Sequence, residues 1–359
     1  MWTVDKEVVL AYGAESDRPL NVPGESSSGV FAAREFVWWY NGHPDATQLP
    51  VDLSKVETVA ICGIGNVALD CARVLLRRPS ELAVTDIAAH AMSQLAGGSR
   101  VKRVHIFARR GPVQAACTPK ELKELVKLGH VAVHAPADQM AVSAGDEAQM
   151  KAVRMRRRMY DLISQFYRNP VEVVADTSGA ASAVRVERTQ LQVLPGGGMV
   201  AVGTGEFETH ECQLVLKSIG YKSLQLEGAA FDARAGVIPN RAGRVLKEKG
   251  GSEADPGLYV CGWIKRGPTG IIGTNSMDAD ETVECIAHDL SAPPAAEVAG
   301  GPGLRRLLAE RCVRAVDWGG WQRIDAEEVR RGAAEGKPRE KIVKVEDMVH
   351  VACGSSLPG

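Results

Sequence analysis

The sequence predicts an α/β fold organised around a parallel sheet. A strand-like run, Thr58 to Cys62, enters a tight glycine turn and leaves it as a helix from Val67 to Leu76. A second strand-like run, Val101 to Ala108, follows, and Thr118-Pro119-Lys120-Glu121 then opens another helix. Strand–helix–strand alternation of this kind is the pattern of right-handed crossovers between parallel strands.

In chain order, the β-branched run Glu7 to Ala11 reads as a strand ending at Tyr12-Gly13-Ala14-Glu15, and a stretch rich in Pro, Gly and Ser runs from Pro19 to Gly29. Ala33 to Tyr40 is helix-like and stops at Asn41-Gly42-His43-Pro44. Pro79 to Arg100 is an insertion before the second strand of the parallel pattern. The next helix has an N-cap threonine, a proline at the first helical position and a glutamate three residues after the cap. A strand over His130 to His134 and a basic helix over Met155 to Phe166 follow. Pro170 to Ile219 alternates, with AVRVERTQLQVL and CQLVLKSIG flanking a Pro195-Gly196-Gly197-Gly198 break, and reads as antiparallel strands or a hairpin. After Gly220 come the run Gly257 to Gly262, a glycine-rich turn through Gly273 and an acidic-capped helix from Asp278 to Leu290. A linker from Ser291 to Gly303 and a charged, amphipathic tail complete the chain.

With 359 residues, 45% hydrophobic and 24% charged, the chain has the composition of a soluble globular protein with room for two cores. A formal net charge of −1 argues against a general nucleic-acid or membrane binder. The eight cysteines form no C-x-x-C or C-x-C pair, which argues against an iron–sulfur cluster, a zinc site or a redox dithiol and favours a reducing compartment. No apolar run approaches the roughly 20 residues needed to cross a bilayer, and no targeting leader is visible.

The turn Gly63-Ile64-Gly65-Asn66-Val67-Ala68 has the G-x-G-x-x-A form. Its first glycine permits the turn, its second lets backbone approach a pyrophosphate, and a small third residue lets helix pack on strand. The helix N-terminus then offers N–H groups to an anion. Arg109-Arg110 follows the second strand, where an acid would select a ribose 2′-hydroxyl; guanidinium groups match a 2′-phosphate instead, so NADP(H) is favoured over NAD(H). The competing reading is a solvated arginine pair at a strand end.

Glu121 has a sufficient structural role as the capping-box partner of Thr118. Asp70 lies near the start of the phosphate-binding helix, where the macrodipole favours an acid, and proton handling is an equal reading. Gly262 to Gly273 sets many glycines beside Trp263, which suggests backbone approaching a flat ligand, with a loop around a buried tryptophan as the alternative. Arg154, Arg156, Arg157 and Arg158 form a positive patch with Arg154 and Arg158 at i, i+4; it is either a solvated face or a docking face for an acidic partner.

Together these stretches, with VVLAYGAE, FVWWYNGHP, GIGNVALDCARVLL, ARRGPVQAACTPKELKEL, LVLKSIGYKS, GVIPNRAGRV, GLYVCGWIKRGPTGIIGTN and DAEEVRRGAAEGKPREKIV, resemble the mitochondrial NADPH–adrenodoxin (ferredoxin) reductases and their bacterial relatives. The resemblance implies paired Rossmann-like, three-layer dinucleotide-binding domains, with an NADP(H) domain inserted in a split FAD domain. Residues 1–29 would be a remnant of the first FAD half and a hinge, 30–220 the NADP(H) domain, and 221–359 the returning FAD half. It also implies that Gly63, Ile64, Gly65, Asn66 and Val67 contact the pyrophosphate, Arg109 and Arg110 the 2′-phosphate, and Glu121 the adenosine end. Trp263, Gly270, Ile271 and Ile272 would contact the flavin, Gly270 also lying near the nicotinamide. Asp70 would belong to a proton or hydrogen-bond network beside the flavin, and Arg154 and Arg158 would face an acidic ferredoxin.

The implied activity is hydride transfer from NADPH to FAD, then single-electron transfer to an adrenodoxin-like iron–sulfur protein, with a mitochondrial location and at most peripheral membrane association. One departure stands out: the family's opening G-x-G-P-A-G unit, which holds the ADP part of FAD, is missing before Val8, and with it the histidine partner of the Asp70 position. The chain is therefore either truncated or a variant that cannot hold FAD in the usual way. Two other readings compete: an NADP(H)-binding fragment without catalysis, and a glutamate-synthase-like reductase, which the lack of clustered cysteines disfavours.

Overall fold

The computed structural model describes residues 7–132, 146, 167–194, 199–270, 272–291 and 300–354. In chain order its strands are β1 (Val8–Leu10), β2 (Ser16–Asp17), β3 (Val30–Ala32), β4 (Thr58–Cys62), β5 (Arg103–Phe107), β6 (Arg168–Ala175), β7 (Ala181–Val193), β8 (Met199–Glu211), β9 (Leu214–Lys217), β10 (Tyr221–Lys222), β11 (Asn240–Arg241), β12 (Arg244–Leu246) and β13 (Ala254–Val260). Its helices are α1 (Ala33–Asn41), α2 (Asn66–Leu76), α3 (Pro79–Leu82), α4 (Ala89–Gly97), α5 (Pro119–Val126), α6 (Trp263–Arg266), α7 (Ile272–Leu290), α8 (Gly300–Glu310), α9 (Trp318–Ala334) and α10 (Val345–Ala352).

The chain divides into two compact units, each made of two stretches. The first comprises Met1–Arg18 and Gly220–Ala315, the second Pro19–Ile219 and Val316–Gly359. The sequence assigned 316–359 to the same domain as the stretch from 221. The structure packs it instead with the second unit, where Ile342 is buried, Lys337 Nζ donates to the Ile87 carbonyl at 3.2 Å and Glu340 accepts from the Ala89 N–H at 3.1 Å.

The second unit is built on a sheet in the order β3-β9-β4-β5, with every pair parallel. All five residues of β4 are buried, as expected of a strand covered on both faces. α2 turns Ala68, Leu69, Cys71, Ala72, Val74 and Leu75 inward, and α1 adds Phe36 and Trp39 to the same core. Each large side chain buried there stabilises the unit by about 1.5–3 kcal/mol. α1 ends at Gly42, whose φ of 75° supplies the left-handed C-terminal cap.

The antiparallel region expected over 170–219 is present as the sheet β6-β7-β8, yet β9 does not belong to it. Leu214, Val215 and Leu216 are consecutive buried residues, and such a run fits between two parallel neighbours where an alternating strand would not. Residues 130–132 are turn and irregular backbone where a strand was expected. The basic helix over 155–166 lies outside the described residues.

In the first unit the sheet runs β1-β13-β12-β11, with β1 parallel to β13 and the remaining pairs antiparallel. A separate two-stranded ladder joins β2 to β10. α7 begins at Ile272, six residues before the acidic start at Asp278, and α8 begins inside the stretch read as a linker. None of the described helices is long and apolar enough to cross a membrane.

Candidate functional site

In the second unit, β4 and β5 are parallel neighbours in the register Cys62↔Phe107, so both strands end at one sheet edge. The Gly63 N–H donates to the Phe107 carbonyl at 2.8 Å and ties the two exits together. Gly63 has φ 118°, and a Cβ on it would overlap the Ser218 carbonyl oxygen. Only glycine fits there. Gly65 precedes α2 as its N-cap and supplies no side-chain cap, while none of the described atoms lies within 4 Å of where its Cβ would stand. An uncapped helix N-terminus beside open space is the geometry that receives a phosphate.

Asn66 turns its side chain elsewhere. Its Oδ1 accepts the Thr118 backbone N–H at 2.7 Å and so fixes the start of α5 to the start of α2. Thr118 Oγ1 accepts the Glu121 N–H at 3.4 Å, completing one half of the capping box the sequence predicts. The reciprocal bond comes from Asn66, and Glu121 points instead to Arg73, 3.5 Å away.

Arg73 gathers three carboxylates: Asp70 at 2.5 Å, Glu121, and Glu124 in a short ion pair. Burial pushes the Asp70 carboxyl up from its ordinary value against the pull of Arg73, and Glu121 and Glu124 push it the same way. Asp70 and Glu121 therefore belong to one cluster between α2 and α5. Arg73 and Glu124 were not singled out from sequence. The i, i+3 spacings of Asp70 with Arg73 and of Glu121 with Glu124 were the only local signal, and nothing local shows that the two pairs meet.

Arg109 and Arg110 are exposed just beyond β5. Thr189 Oγ1 donates to the Arg109 carbonyl at 2.7 Å, and the Arg168 N–H donates to the Ala108 carbonyl at 2.9 Å. The backbone that presents the arginine pair is thus pinned to β6 and β7. The structure brings Gly63 to Val67 and Arg109-Arg110 to neighbouring strand ends of one unit. Arg154, Arg158 and Ile271 lie outside the described residues.

Trp263 and Gly270 belong to the first unit, where Ile272 opens α7. Gly262 has φ 75° and ψ −147°, a bend that delivers Trp263 into the short α6. The Trp263 ring stacks on Tyr221 with centroids 5.6 Å apart, and its Nε1 is buried without a hydrogen-bond partner among the described residues. Gly270, with φ 93°, is exposed. Two side chains with no site role assigned from sequence hold the bend: buried Lys265, and Asp278 of α7, which accepts the Gly262 N–H.

No family model matches the chain. It is similar to the mitochondrial NADPH:adrenodoxin oxidoreductase of Arabidopsis thaliana, with 46% identity over 370 residues, covering 96% of this chain and 76% of that protein. This chain belongs to the NADPH:adrenodoxin oxidoreductase family. The Homo sapiens member is 41% identical over 374 residues, covering 96% of this chain and 73% of its own length. NADPH-ferredoxin reductase FprA of Mycobacterium tuberculosis is 38% identical over 368 residues, covering 97% and 78%. The solved structure of that FprA in complex with NADPH matches with a TM-score of 0.88 and 35% identity over 97% of this chain and 79% of that one. The adrenodoxin oxidoreductase fold, with its dinucleotide-binding units, is thus the fold of this chain.

Proposed function

We propose that the protein is an NADPH-dependent ferredoxin reductase, moving hydride from NADPH to FAD and single electrons onward to an iron–sulfur protein. The observation that carries this is the joint exit of Gly63 and of Arg109-Arg110 from adjacent parallel strands, in a chain 46% identical over 370 residues to an NADPH:adrenodoxin oxidoreductase.

The residues present fit NADP(H) and the flavin end of FAD. For NADP(H), the uncapped start of α2 and the open space beside Gly65 suit a pyrophosphate held by the backbone of Gly63, Ile64, Gly65, Asn66 and Val67. Arg109 and Arg110 would fork onto the 2′-phosphate, and Glu121 would face the adenosine end. For FAD, the buried Trp263 N–H lacks an acceptor among the described residues, one that a flavin would supply, and Gly270, Ile271 and Ile272 would contact the ring. When bound, FAD accepts electrons as a pair and releases them singly, which nicotinamide does not. The protein's own work is to hold the pyrophosphate on amide N–H groups and the 2′-phosphate on guanidinium groups. Asp70, whose carboxyl burial pushes up from its ordinary value, would belong to a proton or hydrogen-bond network beside the flavin.

Arg154 and Arg158 would face an acidic ferredoxin-type partner, and a mitochondrial location belongs to the same reading. The mitochondrial label of the Arabidopsis and human relatives supports that location. The visible spectrum of the purified 359-residue chain tests the proposal. Flavin bands that bleach on adding NADPH, with electrons recovered on a ferredoxin, support it; a colourless protein that still binds NADPH leaves a nucleotide-binding fragment. Arg110→Ala is expected to weaken NADPH at least tenfold and to spare NADH, so equal losses would remove the 2′-phosphate role. Charge reversal at Arg154 and Arg158 should raise the KM for ferredoxin and flatten its salt dependence.

A further inference from the structure

The bend that carries Trp263 is fastened at both ends to one helix. The Asp278 side chain, on α7, is only 7% exposed, and that of Lys265, at the far end of the bend, only 6%. One carboxylate oxygen of Asp278 accepts the Gly262 N–H, and the other lies 3.1 Å from Lys265 Nζ. Gly262 and Lys265 flank Trp263 in the chain, so a single carboxylate closes a clasp across the backbone that carries the indole.

The ammonium is fully surrounded. Besides Asp278 Oδ1 it meets Glu281 Oε2 at 2.6 Å, Thr282 Oγ1 at 3.0 Å and the Asp278 carbonyl at 3.1 Å. Thr282 in turn donates from its hydroxyl toward the Val260 carbonyl at 3.1 Å, at the end of β13. The clasp therefore joins the strand before the bend, the bend itself and the helix after it. Desolvation of two buried charges offsets most of their attraction, so the net gain in stability is small; what such a pair retains is a defined geometry.

We propose that Lys265 and Asp278 are positioning residues that hold the Trp263 indole, its N–H unpartnered among the described residues, in the orientation that receives the flavin ring. The inference rests on reading Trp263 as a flavin contact. In this reading each acts through the indole. Lys265 supplies the counter-charge that keeps the Asp278 carboxylate oriented, and the carboxylate sets the Gly262 backbone from which Trp263 departs.

FAD titrated into the full chain, followed by quenching of flavin fluorescence and by visible circular dichroism, tests both layers. Trp263→Phe is expected to weaken FAD at least fivefold. Lys265→Met and Asp278→Ala should each match that loss. Asp278→Asn, which keeps an oxygen for the Gly262 N–H, should recover most of it, and adding Lys265→Met to Trp263→Phe should cost nothing further. Thermal unfolding identifies any variant that has lost its fold, and Asp278→Asn, nearly isosteric with the native residue, keeps the comparison open if Lys265→Met does so. If Lys265→Met and Asp278→Ala bind FAD as the native chain does while Trp263→Phe does not, the clasp has no positioning role. If Trp263→Phe itself binds FAD unchanged, the flavin reading of Trp263 fails and the clasp falls with it.

Discussion

Two glycines two residues apart separate folding from binding. Gly63 has φ 118° and no room for a Cβ against the Ser218 carbonyl, whereas Gly65 has an ordinary φ of −104° and open space at the same atom. Gly63→Ala should therefore destabilise the protein by about 2–4 kcal/mol, from backbone strain and steric overlap together. Gly65→Ala should leave the unfolding temperature within about 1 °C, a residue change that meets no neighbour, and still weaken NADPH because its methyl group enters the pyrophosphate space. Calorimetry and NADPH titration of the two variants check the contrast, and equal thermal losses would contradict it. The spacing G-x-G-x-x-A assigns the turn to the first glycine and the pyrophosphate approach to the second; the neighbour that makes the first irreplaceable, Ser218, lies far along the chain and is invisible to it.

At the scale of elements, the anchoring of β8 onto β6 and β7 carries a pH dependence. Glu208 accepts from Arg168 Nε and Nη2 at 2.8 Å each and from Arg188 Nε at 2.7 Å. Burial works against its charge, but the two guanidinium groups outweigh it and hold the carboxyl down to about 2, from an ordinary 4.5. A depressed carboxyl contributes stability that is complete above the unfolded value and disappears as pH falls toward the folded one. The native chain should thus lose stability between pH 4.5 and about 2 in part through this group. Glu208→Gln should be less stable at neutral pH and show a shallower acid limb in a pH series of thermal midpoints. The same acid limb in both proteins would exclude Glu208 as a source.

Elements with strong local signals were legible: β4, the glycine turn, α2 and the Thr118-Pro119 start of α5 all stand where their residues place them. β9 was not, because LVLK reads alike as an antiparallel strand and as a buried parallel one, and the choice depends on β3 and β4 far back in the chain. For the same reason the Asn66 cap on α5 and the Arg73 meeting with Glu121 escaped notice. Both are contacts between helices about 50 residues apart in sequence, and no local period encodes them. Lys265 is the extreme case: a lysine within WIKR carries no sign that it will be buried, since only Asp278, Glu281 and Thr282 on a later helix make burial tolerable.

For the whole molecule, the tail from Val316 onward is part of the second unit's core. Ile342 is buried, Lys341 pairs with Asp86 at 3.1 Å and Glu340 accepts from Ala89. Ending the chain at Ala315 should lower the thermal midpoint of the second unit by about 10 °C, since several kcal/mol of packing would be lost at roughly 2–4 °C each. An unchanged midpoint in calorimetry would mean that the tail only rests on that unit.

The interleaving of stretches also bears on birth of the chain at the ribosome. Among the described residues Val8 in β1 pairs with Leu258 of β13, so β1 must wait for a strand made far later in the chain. The second unit opens with β3 and α1, after β1 of the first, and closes only once α9 and α10 have been made. Neither unit can finish before the other has largely been made, which leaves apolar strand edges open to holding chaperones for longer than in a protein whose domains follow one another like beads.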